Sequence, residues 1–163
     1  MVQNYKIRVL FVCTGNICRS PMAEAVFQNF VDQQGLTDRF EIESAGTAAY
    51  HVGERPHIGT QRVLKQNNVP LAENKQAAAI NRSTLHDVDH VIALDSGHVM
   101  ELKKLKPVKR MLEFATGTHL MDVPEPYYEE NFEEVFDLVA DGCKGLLKHI
   151  SDTEGILVKF LLV

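Results

Sequence analysis

Residues 7–31 read IRVLFVCTGNICRSPMAEAVFQNFV, and the rest of the fold can be reasoned outward from them. The first six residues are almost continuously apolar and rich in β-branched side chains, which is typical of a strand buried on both faces. A polar turn follows, and Ser20 and Pro21 then open a helix, because serine favours the N-cap and proline the first helical position. Apolar residues keep helical spacing until Gly35 ends the helix. This stretch therefore predicts a strand, a tight loop and a helix.

The same alternation of strand and helix patterns continues along the chain. Strands that alternate with helices indicate a parallel sheet with helices on both faces. We therefore predict an α/β fold: a single doubly wound domain whose four-stranded parallel sheet is flanked by helices in the flavodoxin-like order. Ligands of such folds bind beyond the carboxyl ends of the strands, where the loop after the first strand lies. The predicted elements are strands at residues 7–12, 40–44, 89–94 and 109–114, and further helices at residues 58–66, 97–105 and 132–150.

Length and composition limit the kinds of protein that this chain can be. Its 163 residues fit one domain, and we expect that domain to span residues 1–155, with an apolar tail of unknown role at residues 156–163. The net charge of −5 argues against a nucleic-acid partner, because sequence-independent binders carry a basic excess. Three cysteines are too few for a disulfide scaffold. Since we find no secretory signal or bilayer-spanning run, we expect a cytoplasmic monomer or weak dimer with no membrane partner.

The loop between the first strand and the first helix carries the chemistry. Five residues separate Cys13 from Arg19, and a short loop that closes onto a helix N-terminus turns backbone N–H groups inward to form an anion site. Arg19 adds a fork that can hold two oxygens of a tetrahedral oxyanion. Cys13 then lies at the floor of a positive cradle, which favours its thiolate, and Ser20 either donates a hydrogen bond to that thiolate or only caps the helix. The loop thus predicts a nucleophile that faces a phosphate site.

Other chemistries fit this loop less well. A Walker loop requires a lysine that is missing here, and a zinc site requires a second pair of cysteine or histidine ligands at metal spacing. The sequence also has no thioredoxin-type Cys-x-x-Cys. The plain structural alternative is a buried cysteine at a strand end with an incidental arginine nearby. Gly15 permits a backbone turn that a Cβ atom would strain, and Asn16 can hold the loop by side-chain hydrogen bonds to the backbone. Both residues favour an ordered anion-binding loop over that alternative.

With these residues, the chain resembles the low-molecular-weight protein tyrosine phosphatase family. The resemblance runs from Val9 to about Ile150. It includes four further segments in the family's order, namely SAGT at residues 44–47, HVG at residues 51–53, LD at residues 94–95 and PEPYY at residues 124–128. It implies an enzyme that hydrolyses phosphotyrosine monoesters of proteins through a phosphocysteine intermediate, with neither a metal nor another cofactor.

The resemblance also implies a role for each residue of the site. Cys13 would be the nucleophile, Arg19 the phosphate clamp and Ser20 the partner of the thiolate. Asn16 would organise the loop. Asp95 would be a buried carboxylate that steadies the neighbouring loop, although the sequence alone indicates a helix cap. The other loop residues expected to bind phosphate are Thr14, Gly15, Ile17 and Cys18.

The general acid is where the sequence departs from the family pattern. The leaving oxygen of a tyrosine phosphate must be protonated, and the family places Asp before Pro-Tyr in the late loop, whereas this chain has Glu125. Glutamate has similar intrinsic acidity but is one methylene longer, so geometry is in question. Asp122 is the competing candidate, and we favour Glu125 because the Pro-Tyr-Tyr after it sets the register. His57 and Gly59 also depart from the family, in which Asp and Arg tend to occupy those positions.

Three tyrosines indicate the shape of the substrate. Tyr50, Tyr127 and Tyr128 match aromatic positions that line the family's cleft. Aromatic walls around a deep anion site favour a flat phenyl phosphate over the shorter phosphoserine. For each tyrosine alone, packing on the edge of the domain is the alternative.

The remaining cysteines have separate expected roles. In relatives, a pair placed like Cys13 and Cys18 can form a reversible disulfide that shields the nucleophile from overoxidation. The alternative for Cys18 is a small buried loop residue. Cys143 lies on the apolar face of the last predicted helix, and we expect it in the core.

Three rival functions can be distinguished by sequence features. Protein-arginine phosphatases carry Thr at the position of Ile17, so the apolar Ile17 favours the tyrosine branch. Arsenate reductases of this fold need two further cysteines in the middle of the chain, and none occurs between Arg19 and Gly142. A non-catalytic phosphoryl-binding module would be expected to lose the nucleophile, yet Cys13 is present.

Overall fold

A sheet of four parallel strands forms the centre of the protein in the computed structural model, which describes residues 5–158. Its strands are β1 (Ile7–Cys13), β2 (Phe40–Gly46), β3 (His90–Ala93) and β4 (Val108–Arg110), in the order β2-β1-β3-β4. The β1 and β2 strands pair from Ile7 opposite Phe40 to Cys13 opposite Gly46. The predicted parallel sheet and its flavodoxin-like order are confirmed.

Helices cover both faces of this sheet. They are α1 (Arg19–Gln33), α2 (Ile58–Gln66), α3 (Arg82–His86), α4 (Ser96–Leu102), α5 (Pro126–Glu129) and α6 (Phe132–Glu154). Val9 and Phe11 of β1 belong to the larger core, which α1, α2 and α6 complete. Leu10 and Val12 belong to a second core with residues of α3 and α4. Because successive side chains of a strand face opposite sides, a strand covered on both faces needs a continuous apolar run.

The predicted strand at residues 109–114 is wrong in its last four residues. The β4 strand ends at Arg110, and Met111–Phe114 form a 3₁₀ turn. The backbone N–H of Arg110 donates to the Glu113 carboxylate at 2.6 Å, which closes the turn. Met111 then packs onto α6 at Gly142, where a Cβ atom would lie 2.5 Å from the Met111 sulfur. The apolar run is therefore buried by a helix and not by sheet pairing.

The other predicted helices lie near their observed positions. The α2 bounds agree with the prediction, α4 begins at Ser96 and ends at Leu102, and α1 ends just before Gly35, whose φ is +69°. The α6 helix continues to Glu154, and its apolar face is buried as expected. The short helices α3 and α5 were not predicted, because four or five residues carry too little periodicity to be recognised.

The last described residues pack onto the main core. Ile156 and Val158 contact that core, whereas Leu157 is exposed. The predicted tail continues beyond the described residues at positions 159–163, and the division into a domain and a tail stays a prediction. Within residues 5–158, no helix has the length and apolar character needed to cross a membrane.

Candidate active site

The site forms where the carboxyl end of β1 meets the first turn of α1. The loop between them covers residues 14–18, and its backbone contacts the end of β2. Thr47 N donates to Cys13 O at 2.9 Å and Ala48 N donates to Thr14 O at 3.0 Å. A Cβ atom on Gly46 would lie 2.6 Å from Thr14 O, so only glycine lets β2 approach the loop this closely. The SAGT segment therefore braces the loop from the neighbouring strand.

Cys13 has a serine partner, as the loop sequence suggested. Cys13 Sγ lies 2.8 Å from Ser20 Oγ, and both side chains are buried. Ser20 Oγ also accepts a hydrogen bond from the Asn16 side-chain amide at 2.8 Å. With that acceptor position used, the Ser20 hydroxyl proton is free to point at the sulfur. The interpretation of Ser20 as the helix cap is wrong, because Cys18 occupies the N-cap position and Ser20 lies inside α1.

Asn16 holds the loop in a conformation that few residues adopt. Its φ is +57°, in the left-handed region that asparagine tolerates better than most side chains. Its amide also donates to Ser44 Oγ at 2.9 Å, and its carbonyl oxygen accepts from Ala78 N at 2.9 Å. Ser44 in turn donates to Glu24, which forms an ion pair with Lys75 at 2.9 Å. A continuous chain of polar contacts from Asn16 to Lys75 thus holds the loop in place.

Arg19 is buried beside the loop with a fixed guanidinium. Its residue exposure is 3%. Nη1 donates to Asp95 Oδ2 at 2.8 Å and to Val123 O at 2.9 Å, and Nη2 lies 3.1 Å from Glu125 Oε2. Its Nε–H has no hydrogen-bond partner among the described residues. Such a buried, unpartnered donor is costly unless a ligand satisfies it.

The charges around Arg19 stabilise one another. Burial alone would lower the pKa of Arg19, but Glu125, Cys13 and Asp95 outweigh it and raise that pKa above the ordinary value. Burial of Asp95 acts to raise its pKa. The hydrogen bond from Arg19 and the nearby His98 act in the opposite direction, and together they lower the pKa of Asp95 below its ordinary value. Both groups are therefore charged across the physiological range.

Asp95 combines the two roles that the sequence left open. Its Oδ2 holds Arg19, and its Oδ1 accepts from His98 N at 3.1 Å as the N-cap of α4. Its contact with Arg19, whose Nη2 meets Glu125, is the one that the expected steadying role would use. Its side chain is about a quarter exposed and not fully buried, at 24%.

A cleft of about 370 Å³ opens above Cys13. Its walls include Tyr50, Tyr127 and Tyr128, of which Tyr50 and Tyr128 are highly exposed, at 83% and 86%. The full lining is Cys13, Thr14, Gly15, Ile17, Cys18, Tyr50, His51, Glu125, Tyr127 and Tyr128. Asn16, Ser20 and Arg19 lie behind this surface and support it from within. The cleft is therefore an aromatic entrance above a polar floor.

The two candidate acids point to different places. Glu125 lines the cleft, where its Oε2 meets Arg19 and its Oε1 accepts from Tyr127 N at 3.1 Å. Asp122 lies outside the lining, and its Oδ1 accepts from both Ser96 N at 2.8 Å and Ser96 Oγ at 2.6 Å. Both bonds tie Asp122 to the start of α4, away from the cleft.

The three cysteines are all buried and unpaired. Burial raises the pKa of Cys18 to about 12, with Glu125 and Cys13 acting in the same direction. Burial also raises the pKa of Cys143, whose Sγ donates to Ala23 O in the core, as expected for that residue. Within residues 5–158 there is no cluster of three or more histidine, cysteine or acidic side chains that could hold a metal ion.

Two histidines of this region were given no role from the sequence. His51 lines the cleft and lies so close to Gly15 that a Cβ atom there would be 2.8 Å from the His51 ring. His98 is buried and contacts both Thr14 and Asp95. The spacing of three residues from Asp95, the N-cap of α4, to His98 was the available signal, because an N-cap side chain bonds the backbone of the first helical turn.

A cysteine that contacts a serine at the carboxyl end of a parallel strand, in a loop that ends at a fixed arginine, is the arrangement of a cysteine-dependent phosphatase. The sequence profile described as low molecular weight phosphotyrosine protein phosphatase matches residues 8–155. The chain belongs to this family.

Individual relatives agree with the family profile. The low molecular weight protein-tyrosine-phosphatase YfkJ of Bacillus subtilis is 40% identical over 150 residues, which cover 88% of this chain and 96% of YfkJ. The crystal structure of YfkJ superposes with a TM-score of 0.88 and covers 93% of this chain and 99% of that one. PtpA of Staphylococcus aureus is 37% identical over 88% of this chain and 94% of its own length. A protein tyrosine phosphatase structure from Entamoeba histolytica, 32% identical, has a TM-score of 0.84 and covers 92% of this chain and 99% of that one.

Proposed function

We propose that Cys13 accepts the phosphoryl group of phosphotyrosine in protein substrates and that Glu125 serves as general acid and then as general base. The observation that carries this proposal is the buried Arg19 guanidinium. It is fixed by Asp95 and Val123, yet its Nε–H is unpartnered among the described residues and its Nη2 meets the cleft residue Glu125. A phosphate that accepts from Nε and Nη2 would satisfy both donors in the bidentate geometry that arginine favours.

The reaction follows as two in-line displacements. In the first, the Cys13 thiolate attacks phosphorus, the S–P bond forms, and the P–O bond to the tyrosine breaks. Glu125 gives its proton to the departing phenolate oxygen. In the second, Glu125 takes a proton from water, the resulting oxygen nucleophile attacks phosphorus, and inorganic phosphate leaves as the S–P bond breaks. Arg19 and the loop amides hold the equatorial oxygens in both steps, and the Ser20 hydroxyl stabilises the sulfur when it is a thiolate.

The walls of the cleft support a phenyl phosphate as the substrate group. Tyr50, Tyr127 and Tyr128 surround the entrance, and Tyr127 and Tyr128 pack edge to face with ring centroids 4.9 Å apart. A phenyl ring reaches from these walls to the Cys13 floor, whereas phosphoserine is shorter and offers no ring to pack. The protein backbone on either side of the tyrosine would then lie outside the cleft.

Hydrolysis of a substrate panel tests this function. Wild-type protein should release phosphate from para-nitrophenyl phosphate and phosphotyrosine, with much lower kcat/KM for phosphoserine and phosphoarginine. Cys13→Ser serves as the background control. Phosphoarginine as the best substrate would reject the proposed specificity, and release by Cys13→Ser at the wild-type rate would reject the mechanism.

Glu125→Gln should lower kcat by about 10²-fold for a phenolic phosphate with a poor leaving group, because proton donation to the leaving oxygen contributes at least that much. The loss should shrink for para-nitrophenyl phosphate, whose leaving group needs less protonation. Asp122→Asn is the matched control and should cost less than Glu125→Gln, since Asp122 is bonded to Ser96. If Asp122→Asn proves the more damaging on the poor leaving group, Glu125 is not the acid.

We also propose that Cys18 protects Cys13 from irreversible oxidation. Peroxide would convert the Cys13 thiolate to a sulfenic acid, and the Cys18 sulfur would then displace water from it to form a disulfide that an added thiol reduces. Burial is the largest of the causes that raise the pKa of Cys18 to about 12, and Glu125 and Cys13 add to it. The thiolate of Cys18 that must attack is therefore scarce at neutral pH. The protection should therefore strengthen as the pH rises towards that value.

The measurement is recovery of activity by dithiothreitol after a peroxide pulse, at several pH values. Wild type should recover fully and Cys18→Ser poorly, with the difference between them larger at higher pH. Cys143→Ser, which changes a buried cysteine of the core, is the control. Equal recovery of Cys18→Ser and wild type at every pH would remove the protective role.

A further inference from the structure

His98 is a buried histidine that the proposed reaction does not use. It lies on α4 and is 3% exposed. Its Nε2 is 2.9 Å from Thr14 Oγ1, and its Nδ1 is 3.1 Å from Asp95 Oδ1. The backbone N–H of His98 also donates to Asp95 Oδ1 at 3.1 Å, so this residue is bonded to Thr14 through its ring and to Asp95 through its backbone.

The two partners of His98, Thr14 and Asp95, contact different parts of the phosphate site. Thr14 follows Cys13 in the loop and lines the cleft. Asp95 holds Arg19 through Oδ2 at 2.8 Å. His98 thus completes a chain of contacts from the Arg19 guanidinium, through Asp95, to the side chain next to the nucleophile. The position of the loop relative to the arginine depends on the imidazole between them.

Burial favours a neutral ring. Burial lowers the pKa of His98 and Arg19 acts in the same direction, while Asp95, Glu101 and Glu125 oppose them. A neutral imidazole has one N–H and one acceptor nitrogen. The Asp95 carboxylate favours the N–H at Nδ1, although that nitrogen is poorly aligned for a hydrogen bond. Nε2 is then the acceptor for the Thr14 hydroxyl proton.

We propose that His98 is a positioning residue for the phosphatase reaction, which accepts the Thr14 hydroxyl and thereby fixes the loop against the Asp95–Arg19 pair. This inference rests on the proposed function of the site and adds a residue to it. His98 touches neither substrate nor the reacting atoms, so its removal loosens the oxyanion cradle without removing a donor from it. The loss should appear both in the binding of a phosphate analogue and in kcat/KM.

Two substitutions separate the Thr14 contact from the rest of the side chain. The amide of glutamine can reach the place of Nε2, whereas the shorter asparagine reaches only the place of Nδ1. We therefore expect His98→Asn to raise the inhibition constant of orthovanadate by up to about ten-fold, since a hydrogen bond between neutral groups contributes up to about one decade. His98→Gln should stay within about three-fold of wild type, because its amide can keep the Thr14 bond. His86→Asn changes an exposed histidine and is the control for general effects.

A second pair of variants keeps the test decisive if His98→Asn folds poorly. Thr14→Val removes the hydroxyl that bonds His98 and should raise the inhibition constant of vanadate by a similar factor. Thr14→Ser keeps that hydroxyl and should raise the inhibition constant less. In the Thr14→Val background, His98→Asn should add almost nothing, because residues that act through one contact are not additive. Each variant is first checked by circular dichroism and thermal melting.

The outcomes distinguish the role of His98 from the proposed function of the site. Equal vanadate inhibition of His98→Asn, His98→Gln and wild type, with normal folding and normal wild-type turnover, overturns the role of His98 alone. Fully additive losses in the double variant overturn it as well, because His98 would then act independently of Thr14. A wild-type protein without turnover on any aryl phosphate would instead reject the proposed function of the site.

Discussion

Cys13→Ser should lower kcat for an aryl phosphate by about 10⁴-fold or more, because an alcohol at neutral pH is a far weaker nucleophile than a thiolate. The neighbours of Cys13 contact or electrostatically interact with its sulfur. Ser20 Oγ lies 2.8 Å away, Arg19 is close enough for the sulfur to raise its pKa, and Asn16 fixes Ser20 from behind. Replacing sulfur by oxygen changes few contacts, so the variant should fold and bind phosphate while losing turnover.

The measurement is steady-state hydrolysis of para-nitrophenyl phosphate together with equilibrium binding of inorganic phosphate. Cys143→Ala is the matched control, because Cys143 is equally buried but lies in the core beside Ala23. It should keep wild-type kcat and lose only some thermal stability. Turnover that survives in Cys13→Ser while phosphate binding is intact would contradict the assignment of the nucleophile.

Arg19→Lys should lower kcat/KM by about 10³-fold, because one ammonium cannot replace a planar fork that binds two phosphate oxygens as they gain charge. The three contacts of the guanidinium also explain why the charge alone does not suffice. Asp95 and Val123 orient Nη1, and this leaves Nε and Nη2 for the ligand. A lysine that kept the Asp95 pair would turn its charge away from the phosphate.

The loss should fall on both phosphate affinity and kcat. Arg62→Lys, which alters an exposed arginine paired with Glu133 at 3.4 Å, is the control and should leave both unchanged. If Arg19→Lys keeps kcat/KM within about ten-fold of wild type, the idea that a fixed fork stabilises the transition state is wrong.

The sheet and the loop could be predicted because both depend on local patterns. The continuous apolar run of β1 reflects burial on two faces, and the loop sequence contains its own turn residues, nucleophile and arginine. That spacing left two roles open for Ser20, and the family resemblance implied that it is the partner of the Cys13 thiolate. What the sequence left open was whether Ser20 also capped the helix, since the register of α1 differs by only two residues between those cases.

Long-range contacts explain the parts that could not be predicted. Residues 111–114 looked like strand because three of the four are apolar, and only the packing of Met111 on Gly142 of α6 shows why they turn. The roles of His57 and Gly59 likewise depend on a distant residue. The His57 ring stacks on Phe132 at 5.0 Å, and a Cβ atom on Gly59 would lie 2.3 Å from the same ring. A larger residue at position 59 would displace Phe132, which no local pattern reveals.

The start of α2, which follows His57, contacts the loop that follows Cys13. His57 N donates to Ile17 O at 2.7 Å, and Thr60 Oγ1 donates to Cys18 O at 3.1 Å. The start of α2 therefore supports the second half of the phosphate loop. The choice between Glu125 and Asp122 also needed three dimensions, because their side chains diverge from one loop towards Arg19 and towards Ser96.

Trapping the covalent intermediate tests the central chemistry most directly. Wild-type protein is mixed with an aryl phosphate, quenched in acid denaturant within milliseconds, and examined by intact mass and peptide mapping. The proposed mechanism predicts one phosphoryl group per chain, on the peptide that contains Cys13, formed at the rate of the phenol burst and missing from Cys13→Ser. A phosphoryl group on any other residue, or turnover at the wild-type rate in a chain that never carries one on Cys13, would contradict it.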